Sequence, residues 1–368
     1  MKERINRAIY GIKSQSARIL GKCLKKVNNP YVRKNPEALK WGIIGTGHMG
    51  KVFARTLNRC RDDIAYAVLS RTESKASEFG NNFHIARCYT DLTEFLADTE
   101  IDIVYIATPL ETHYSYIEAT LKARKNVLCE KPFVQCEAQV EALAHIAREN
   151  QCLLMEGMWS RMLPTYVQAQ KWIEEGRIGD IELIRVEKAR QRNYTRTDKS
   201  ALEQSAIWDY GIYPISFVQL FLKKPAIISV DTTFNSNGID TDWHIIMEEN
   251  GVKAYVDISG RYPGASKAYI AGTKGTIEIA GQFNRSNRVS LHNLSGKTEE
   301  FIEFKYESEG FEYEISEVNR LIREGALESP AINLQDTRQG IRIINELTGL
   351  QKGAACHNRV NCDSKKIR

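Results

Sequence analysis

The chain has 368 residues, of which 42% are hydrophobic and 26% charged, and its net charge is +5. That length points to two domains, and that composition to an ordinary globular protein rather than a fibrous or low-complexity one. No apolar run approaches the ~18 residues that a membrane-crossing helix needs, no secretory leader is evident, and eight cysteines without a C-x-x-C pair read as reduced thiols of a cytoplasmic protein with no zinc site.

Residues 1–34 hold ten Lys or Arg against the single acid Glu3, a charge of +9 that leaves −4 on the remainder. The basicity therefore belongs to an N-terminal extension, taken as residues 1–38, and gives no reason to expect a nucleic-acid partner. Ile5, Ala8, Ile9, Ile12, Leu20, Cys23, Leu24 and Val27 recur at helical spacing with cations between them. One reading is a basic amphipathic helix resting on the inner face of an anionic membrane. The other is a solvated arm or an oligomer contact, since Gly11 and Gly21 weaken the helix and no Trp or Phe anchors it.

From Trp41 the text is W-G-I-I-G-T-G-H-M-G. A short buried strand (Gly42–Ile44) runs into G-x-G-x-x-G at Gly45, Gly47 and Gly50, and an amphipathic segment follows to Leu57. A pyrophosphate needs that order: a sharp turn, close backbone approach, and a helix N-terminus facing the charge. Gly45, Thr46, Gly47, His48, Met49 and Gly50 are thus candidate dinucleotide contacts. The second strand (Ile64–Leu69) ends in Ser70-Arg71-Thr72. An acid here would take a ribose 2′-hydroxyl, whereas these hydroxyls and a guanidinium suit a 2′-phosphate, so Ser70 and Arg71 predict NADP(H) over NAD(H). The competing reading has Glu73 reaching the ribose.

Alternation continues with a helix at Asp91–Ala97 capped by Thr90, a strand at Ile103–Ala107, a helix at Tyr114–Ala123, a strand at Asn126–Cys129, a helix at Glu137–Glu149 and a strand at Cys152–Met155. This predicts an α/β domain over residues 39–155, a doubly wound parallel sheet of Rossmann type. After a helix at Thr165–Glu175 the runs become β-branched and aromatic: Ile181–Lys188, Ile227–Phe234, His244–Glu248, Lys253–Ser259, Ala268–Ala271, Thr276–Ile279 and Phe301–Phe304. Turn signals such as Asn250-Gly251 separate them. They predict an α+β domain (156–352) on a large, mainly antiparallel open-faced sheet, closed by helices at Phe311–Glu324 and Gln335–Lys352. Residues 353–368 read as a polar tail.

Asn126-Val127-Leu128-Cys129-Glu130-Lys131-Pro132, preceded by Thr108-Pro109-x-x-x-His113, resembles the E-K-P region of the glucose–fructose oxidoreductase and inositol dehydrogenase family. The segment from Leu154 to Pro164, with Trp159 and Arg161, and the segment Asp209-Tyr210-Gly211-Ile212-Tyr213-Pro214 resemble the branch that contains dimeric dihydrodiol dehydrogenase and sugar dehydrogenases. The resemblance spans about residues 40–350. It implies a Rossmann domain followed by an open-sheet domain, with Thr108, Pro109, Glu130 and Lys131 at the nicotinamide end. His113 is then expected near the cofactor loop and Trp159 and Arg161 along the cofactor or substrate pocket, with a structural role as the other reading of Trp159. It also implies a homodimer or homotetramer.

Oxidising a secondary alcohol needs a base for the hydroxyl proton. The resemblance makes Tyr213 that acid/base, Lys131 the cation that lowers its pKa, and Asp209, four residues earlier on a helix, the orienter. The alternative gives the proton transfer to Lys131. No metal-ligand spacing is present, and hydride transfer needs none. The chain departs from the branch at Glu203-Gln204-Ser205-Ala206, where a glycine-rich turn is usual. It also carries an unusually basic run, Arg190 to Arg196, suited to gripping an anionic sugar if it folds over the site. Three functions stay open: an oxidoreductase of sugar alcohols, one of a dihydrodiol, dicarbonyl or tetrapyrrole-like compound, and a non-catalytic NADP-binding protein.

Overall fold

A computed structural model describes residues 37–195, 200–264, 266–306 and 308–349. The expectations for the basic arm, for Arg196 and for the tail 353–368 lie outside the described residues. Strand β1 (Leu39–Ile44) is flanked in parallel by β2 (Asp63–Leu69) and β4 (Ile103–Ile106). With β3 (Arg87–Tyr89), β5 (Asn126–Glu130) and β6 (Leu154–Gly157) they form a six-stranded sheet ordered β3-β2-β1-β4-β5-β6. The order reverses between β1 and β4, and such a switch opens a crevice at the strands' carboxyl ends. All four residues of β4 are buried because helices cover both faces, so the strand reads as an unbroken apolar run.

Those helices are α1 (His48–Leu57), α2 (Glu73–Phe83), α3 (Leu92–Ala97), α4 (His113–Lys122) and α5 (Glu137–Asn150). In α1 the buried stripe includes Val52, Phe53 and Leu57. Phe53 stacks on Tyr105 at 3.7 Å and meets Trp41 edge-on at 5.1 Å. Each buried ring of this kind contributes about 1.5–3 kcal/mol. The cap of α3 is Asp91, whose side chain accepts from the Glu94 amide, and not the expected Thr90. A carboxylate is a strong N-cap and helps the adjacent positive helix end.

The second domain starts with α6 (Pro164–Glu174) and β7 (Ile181–Ala189). A four-residue α7 (Ala201–Gln204), a π turn (Ile207–Gly211) and α8 (Ile212–Gln219) come next. Then come β8 (Ala226–Phe234), β9 (Asp240–Glu249), β10 (Val252–Ser259), β11 (Ala268–Gly272), β12 (Gly275–Ile279), β13 (Arg288–Asn293) and β14 (Thr298–Glu303). They form an eight-stranded sheet ordered β14-β13-β12-β11-β7-β10-β9-β8, antiparallel except at β7 and β10. Strands β11 and β12 alternate buried and half-buried residues, so one face packs inward and the other is more open. The edge strand β8 leaves Ile228, Val230 and Phe234 exposed.

The chain then returns to the first domain. Helix α9 (Phe311–Glu324) packs on α1, and α10 (Leu334–Thr348) on α5 and α8. The Asn319 amide donates to both oxygens of buried Asp63 at 2.9 and 3.0 Å, beside the Trp41 indole at 2.7 Å. Thr337 donates to Glu156 at 2.9 Å, and the Asn345 amide to the Gln135 carbonyl at 3.1 Å. Cys60, Cys88, Cys129 and Cys152 are free thiols. Among the described residues, no helix is long and apolar enough to cross a membrane, and no group of three or more His, Cys, Asp or Glu is placed to hold a metal ion.

Candidate active site

The glycine turn sits at the switch point. Gly45 has φ 110°, and a Cβ there would strike the Ala107 carbonyl. A Cβ on Gly50 would strike the Gly45 carbonyl, so α1 can close on β1 only with glycine here. At Gly47, by contrast, a Cβ would meet nothing within 4 Å, so this backbone faces open space. Helix α1 has no side-chain cap and no acid in its first turn. Its first amides and its positive end are therefore left for an anion from outside, and the turn suits a dinucleotide pyrophosphate.

A cleft of about 790 Å³ opens from this turn, lined by Gly45, Thr46, Gly47, Ser70, Arg71, Thr108 and Pro109. The Thr46 and Ser70 hydroxyls are 3.5 Å apart. His48 and Met49 belong to the first turn of α1 but not to the lining, and Gly50 lies behind it. Glu73 opens α2, exposed and off the cleft. Lys75, Thr112 and Tyr116 also line the cleft and escaped the sequence reading. Lys75 had a signal: it stands four residues past Arg71, at the start of a helix beside the same crevice.

His113 is buried beneath the cleft rather than on its wall. Its Nδ1 lies 3.1 and 3.0 Å from the Pro132 and Phe133 carbonyls, and its Nε2 lies 2.9 Å from the Thr108 carbonyl. Burial holds its pKa below the usual histidine value. The ring ties the loop after β4 to the segment after β5, where the Lys131–Pro132 bond is cis.

Lys131 follows directly from β5. Its ammonium donates to the Asp209 carbonyl, stands 3.4 Å from Asp209 Oδ1 and lies 5.0 Å from the centre of the Tyr213 ring. The second Asp209 oxygen accepts from Arg192. Asp209 and Tyr213 do not share one α-helix, as their spacing predicted. Asp209 lies on the π turn and Tyr213 on the first turn of α8. A π turn inserts a residue into the helical register, a recurrent device where a side chain must be re-aimed. Both residues nevertheless reach Lys131.

The electrostatics correct one expectation. Burial raises the Tyr213 pKa, and this outweighs the lowering by Lys131 and by the Trp159 hydrogen bond. Burial also opposes charge on Lys131, but Tyr213, Asp209 and Glu130 outweigh it and the lysine pKa rises. Burial works against the Asp209 charge too, yet Lys131 and Arg192 hold that carboxyl below its usual range. The resting site is thus a neutral phenol beside a firmly protonated ammonium. Glu130 lies under Lys131, accepting from the Tyr105 hydroxyl at 2.5 Å, and burial raises its pKa.

Trp159 and Arg161 part company. They are two positions apart on a 3₁₀ turn (Trp159–Met162), which at three residues per turn sends them to different sides. The Trp159 indole donates to the Tyr213 hydroxyl at 3.1 Å and stacks on Phe311 at 4.7 Å. Arg161 is instead buried away from the cofactor cleft, donating to Ser216 at 2.8 Å and lying 3.7 Å from Asp336, on the wall of a second cavity of about 390 Å³.

Residues 39–158 match the family described as "Oxidoreductase family, NAD-binding Rossmann fold", and residues 166–278 match the "GFO/IDH/MocA C-terminal domain". The chain belongs to the GFO/IDH/MocA family of oxidoreductases. Among curated members, trans-1,2-dihydrobenzene-1,2-diol dehydrogenase of Xenopus laevis is 30% identical over 323 residues, covering 84% of this chain and 97% of that protein. The enzyme of the same name from Homo sapiens is 28% identical, with 84% and 96% covered. In fold, the chain is similar to a 3-ketoreductase from Actinomadura kijaniata solved with NADP and TDP-benzene, at TM-score 0.74 and 20% identity, covering 85% and 97% of the two chains. Levoglucosan dehydrogenase in complex with NADH and levoglucosan matches at TM-score 0.75 and 18% identity, covering 85% and 96%.

Within this GFO/IDH/MocA chain the divergent stretch Glu203–Ala206 has its own order. Ser200 and Glu203 form a capping box on α7. The Arg192 guanidinium, committed to Asp209 on one side, donates to the Glu203 carbonyl at 2.8 Å on the other. Arg192 therefore braces the π turn, while Arg190 is exposed. One further cation at this end of β7, Lys188, faces inward and was not singled out in the sequence.

Proposed function

We propose that this chain is an NADP(H)-dependent oxidoreductase that interconverts a secondary alcohol and a ketone on a sugar or sugar derivative. Tyr213 moves the proton, Lys131 is its electrostatic partner and Asp209 orients the lysine. The observation that carries this reading is the Lys131 ammonium, fixed at Asp209 and 5.0 Å from the Tyr213 ring centre, whose hydroxyl also accepts from Trp159. When bound, NADP(H) supplies or accepts the hydride. Gly45, Thr46 and Gly47 would hold its pyrophosphate, and Ser70, Arg71 and Lys75 a 2′-phosphate.

In the reducing direction the neutral Tyr213 phenol is the acid. Its proton passes to the substrate oxygen, and the phenolate left behind is stabilised by the Lys131 charge and the Trp159 N–H. In the oxidising direction the same pair lowers the cost of forming that phenolate. Lys131 holds its own proton too firmly to serve as the base, which favours Tyr213 over the alternative assignment. A non-sugar vicinal diol is the second reading for the substrate, favoured by the dihydrobenzenediol dehydrogenases similar over most of the chain.

Tyr213→Phe keeps the ring but removes the proton. Its kcat should fall by on the order of 10² or more while NADPH affinity is unchanged. Unaltered turnover in that variant would remove Tyr213 from the chemistry. Screening NADP⁺ turnover against polyols, sugars and trans-dihydrodiols separates the two substrate readings.

A further inference from the structure

Lys188, near the end of β7, is a buried cation without an anion. It is 6% exposed, and its ammonium donates to Asn284 Oδ1 at 2.6 Å, a neutral partner that is itself 5% exposed. Among the described residues, the charges that act on it most strongly are Arg285 on the turn Phe283–Arg285, Arg190 just past its own strand and Lys131 after β5, followed by the acid Asp209. Asp209 is already shared by Lys131 and Arg192, and Arg285 pairs with Glu309 at 3.4 Å. Lys188 and Arg190 are left with no carboxylate of their own among the described residues.

The frame around them is rigid. The Ala189 amide donates to Ser266 Oγ at 3.2 Å, and the Arg190 amide to the Ser259 carbonyl at 2.9 Å. These bonds hold the strand end that carries both cations, and the Asn284 oxygen holds the Lys188 ammonium. Burial, with the repulsion of Arg285, Arg190 and Lys131, pushes the Lys188 pKa down to about 8. Desolvating an uncompensated cation is costly unless something of opposite charge arrives, and Lys188 is close enough to Lys131 and Asp209 to feel their charges.

We infer that the substrate carries an anionic oxygen group, a carboxylate or a phosphate, and that Lys188 and Arg190 receive it while Asn284 holds the ammonium in place. This rests on the oxidoreductase reading above and adds the class of substrate. No covalent step is involved. The two cations determine which compound is accepted and take no part in the proton transfer.

The test uses the full chain, titrated calorimetrically with acetate and with inorganic phosphate in the presence of saturating NADP⁺, which occupies any 2′-phosphate site. Saturable anion binding is expected, weakened at least tenfold in Lys188→Gln, which keeps a donor for Asn284, and several-fold in the exposed variant Arg190→Gln. Lys188→Arg should retain it. Acetate affinity should fall as pH rises through about 8, because the ammonium is lost there. Preference for acetate points to a sugar acid, and preference for phosphate to a phosphate ester. No saturable binding, or binding untouched in both Gln variants, overturns the inference. NADPH affinity measured on the same samples keeps this distinct from the wider reading. If nucleotide binds and anions do not, only the inference falls. If no nucleotide binds, the oxidoreductase reading falls, and the difference between wild type and Lys188→Gln on the apo-protein still decides the role of Lys188.

Discussion

Arg71 shows how far a single side chain can be followed from text to site. It stands beside Ser70, which holds the position of the expected ribose-binding acid, and both line the cleft, while Glu73 turns away into α2. Arg71→Ala should weaken NADPH by roughly 10- to 100-fold, the 1.5–3 kcal/mol of a charge-assisted hydrogen bond, and leave NADH nearly unaffected. Parallel fluorescence titrations of the two nucleotides measure this; equal losses would deny Arg71 the phosphate. Lys131, Asp209 and Tyr213 were legible because they stand in recognisable runs. Lys188 was not, because a lysine in a β-strand normally points to solvent, whereas here it is buried on the same face as Ile184 and Val186. Nor could the residues themselves foretell the direction of the Tyr213 shift. That depends on how deeply the ring is buried, and burial outweighs the adjacent ammonium.

Elements were easier to read than their junctions. The parallel strands announced themselves as short apolar runs, and Phe311–Glu324 was recovered with both ends, because its apolar stripe is strong and Gly325 stops it. Strands β3 and β13 were missed: β3 is only three residues long, and β13 opens with Arg288 and alternates too weakly to stand out. The π turn was out of reach for another reason. Its register is set by tertiary contacts, including the Ile207 amide on Asp240 at 2.9 Å, and not by local propensity. The glycine turn is the opposite case, where local chemistry dictates the element. Gly50→Ala drives a methyl group into the Gly45 carbonyl. Helix α1 must then shift, at about 1–3 kcal/mol of overpacking, and NADPH affinity should drop at least tenfold with a lower Tm. Unchanged affinity would mean that the helix end does not touch the nucleotide.

At the scale of the molecule, the two sheets were foreseen, but not the way the last two helices bind them together. Chain position assigned α9 and α10 to the second domain. In space they also reach the first, through Asp63, Gln135 and Glu156, which lie far back in the chain and leave no local trace, while α10 keeps its packing on α8 of the second. Their arrival also buries acids. Glu130, Glu156 and Glu314 are each at most 5% exposed, and neither oxygen of Glu314 has a hydrogen-bond partner. Burial raises the pKa of all three, that of Glu156 from 4.5 to about 7. The folded state therefore binds protons that the unfolded chain has released, and the stability tied to Glu156 is full below pH 4.5 and lost as pH rises through about 7. Glu156→Gln should remove up to about 3 kcal/mol of that decline, read as a flatter dependence of unfolding free energy on pH across this window. An identical slope in the variant would place the titration elsewhere.

The return of α9 also bears on how the protein comes into being. A growing polypeptide exposes Asp63 some 256 positions before Asn319, the amide that grips both its oxygens. Until the ribosome has delivered that amide, the nascent nucleotide-binding half holds an interior carboxylate that still lacks the two hydrogen bonds from Asn319. Domains made early usually fold early. Here the earlier half gains part of its interior hydrogen bonding only from the later one, so a truncation before Phe311 should lower the stability of the coenzyme fold, read as a lower Tm.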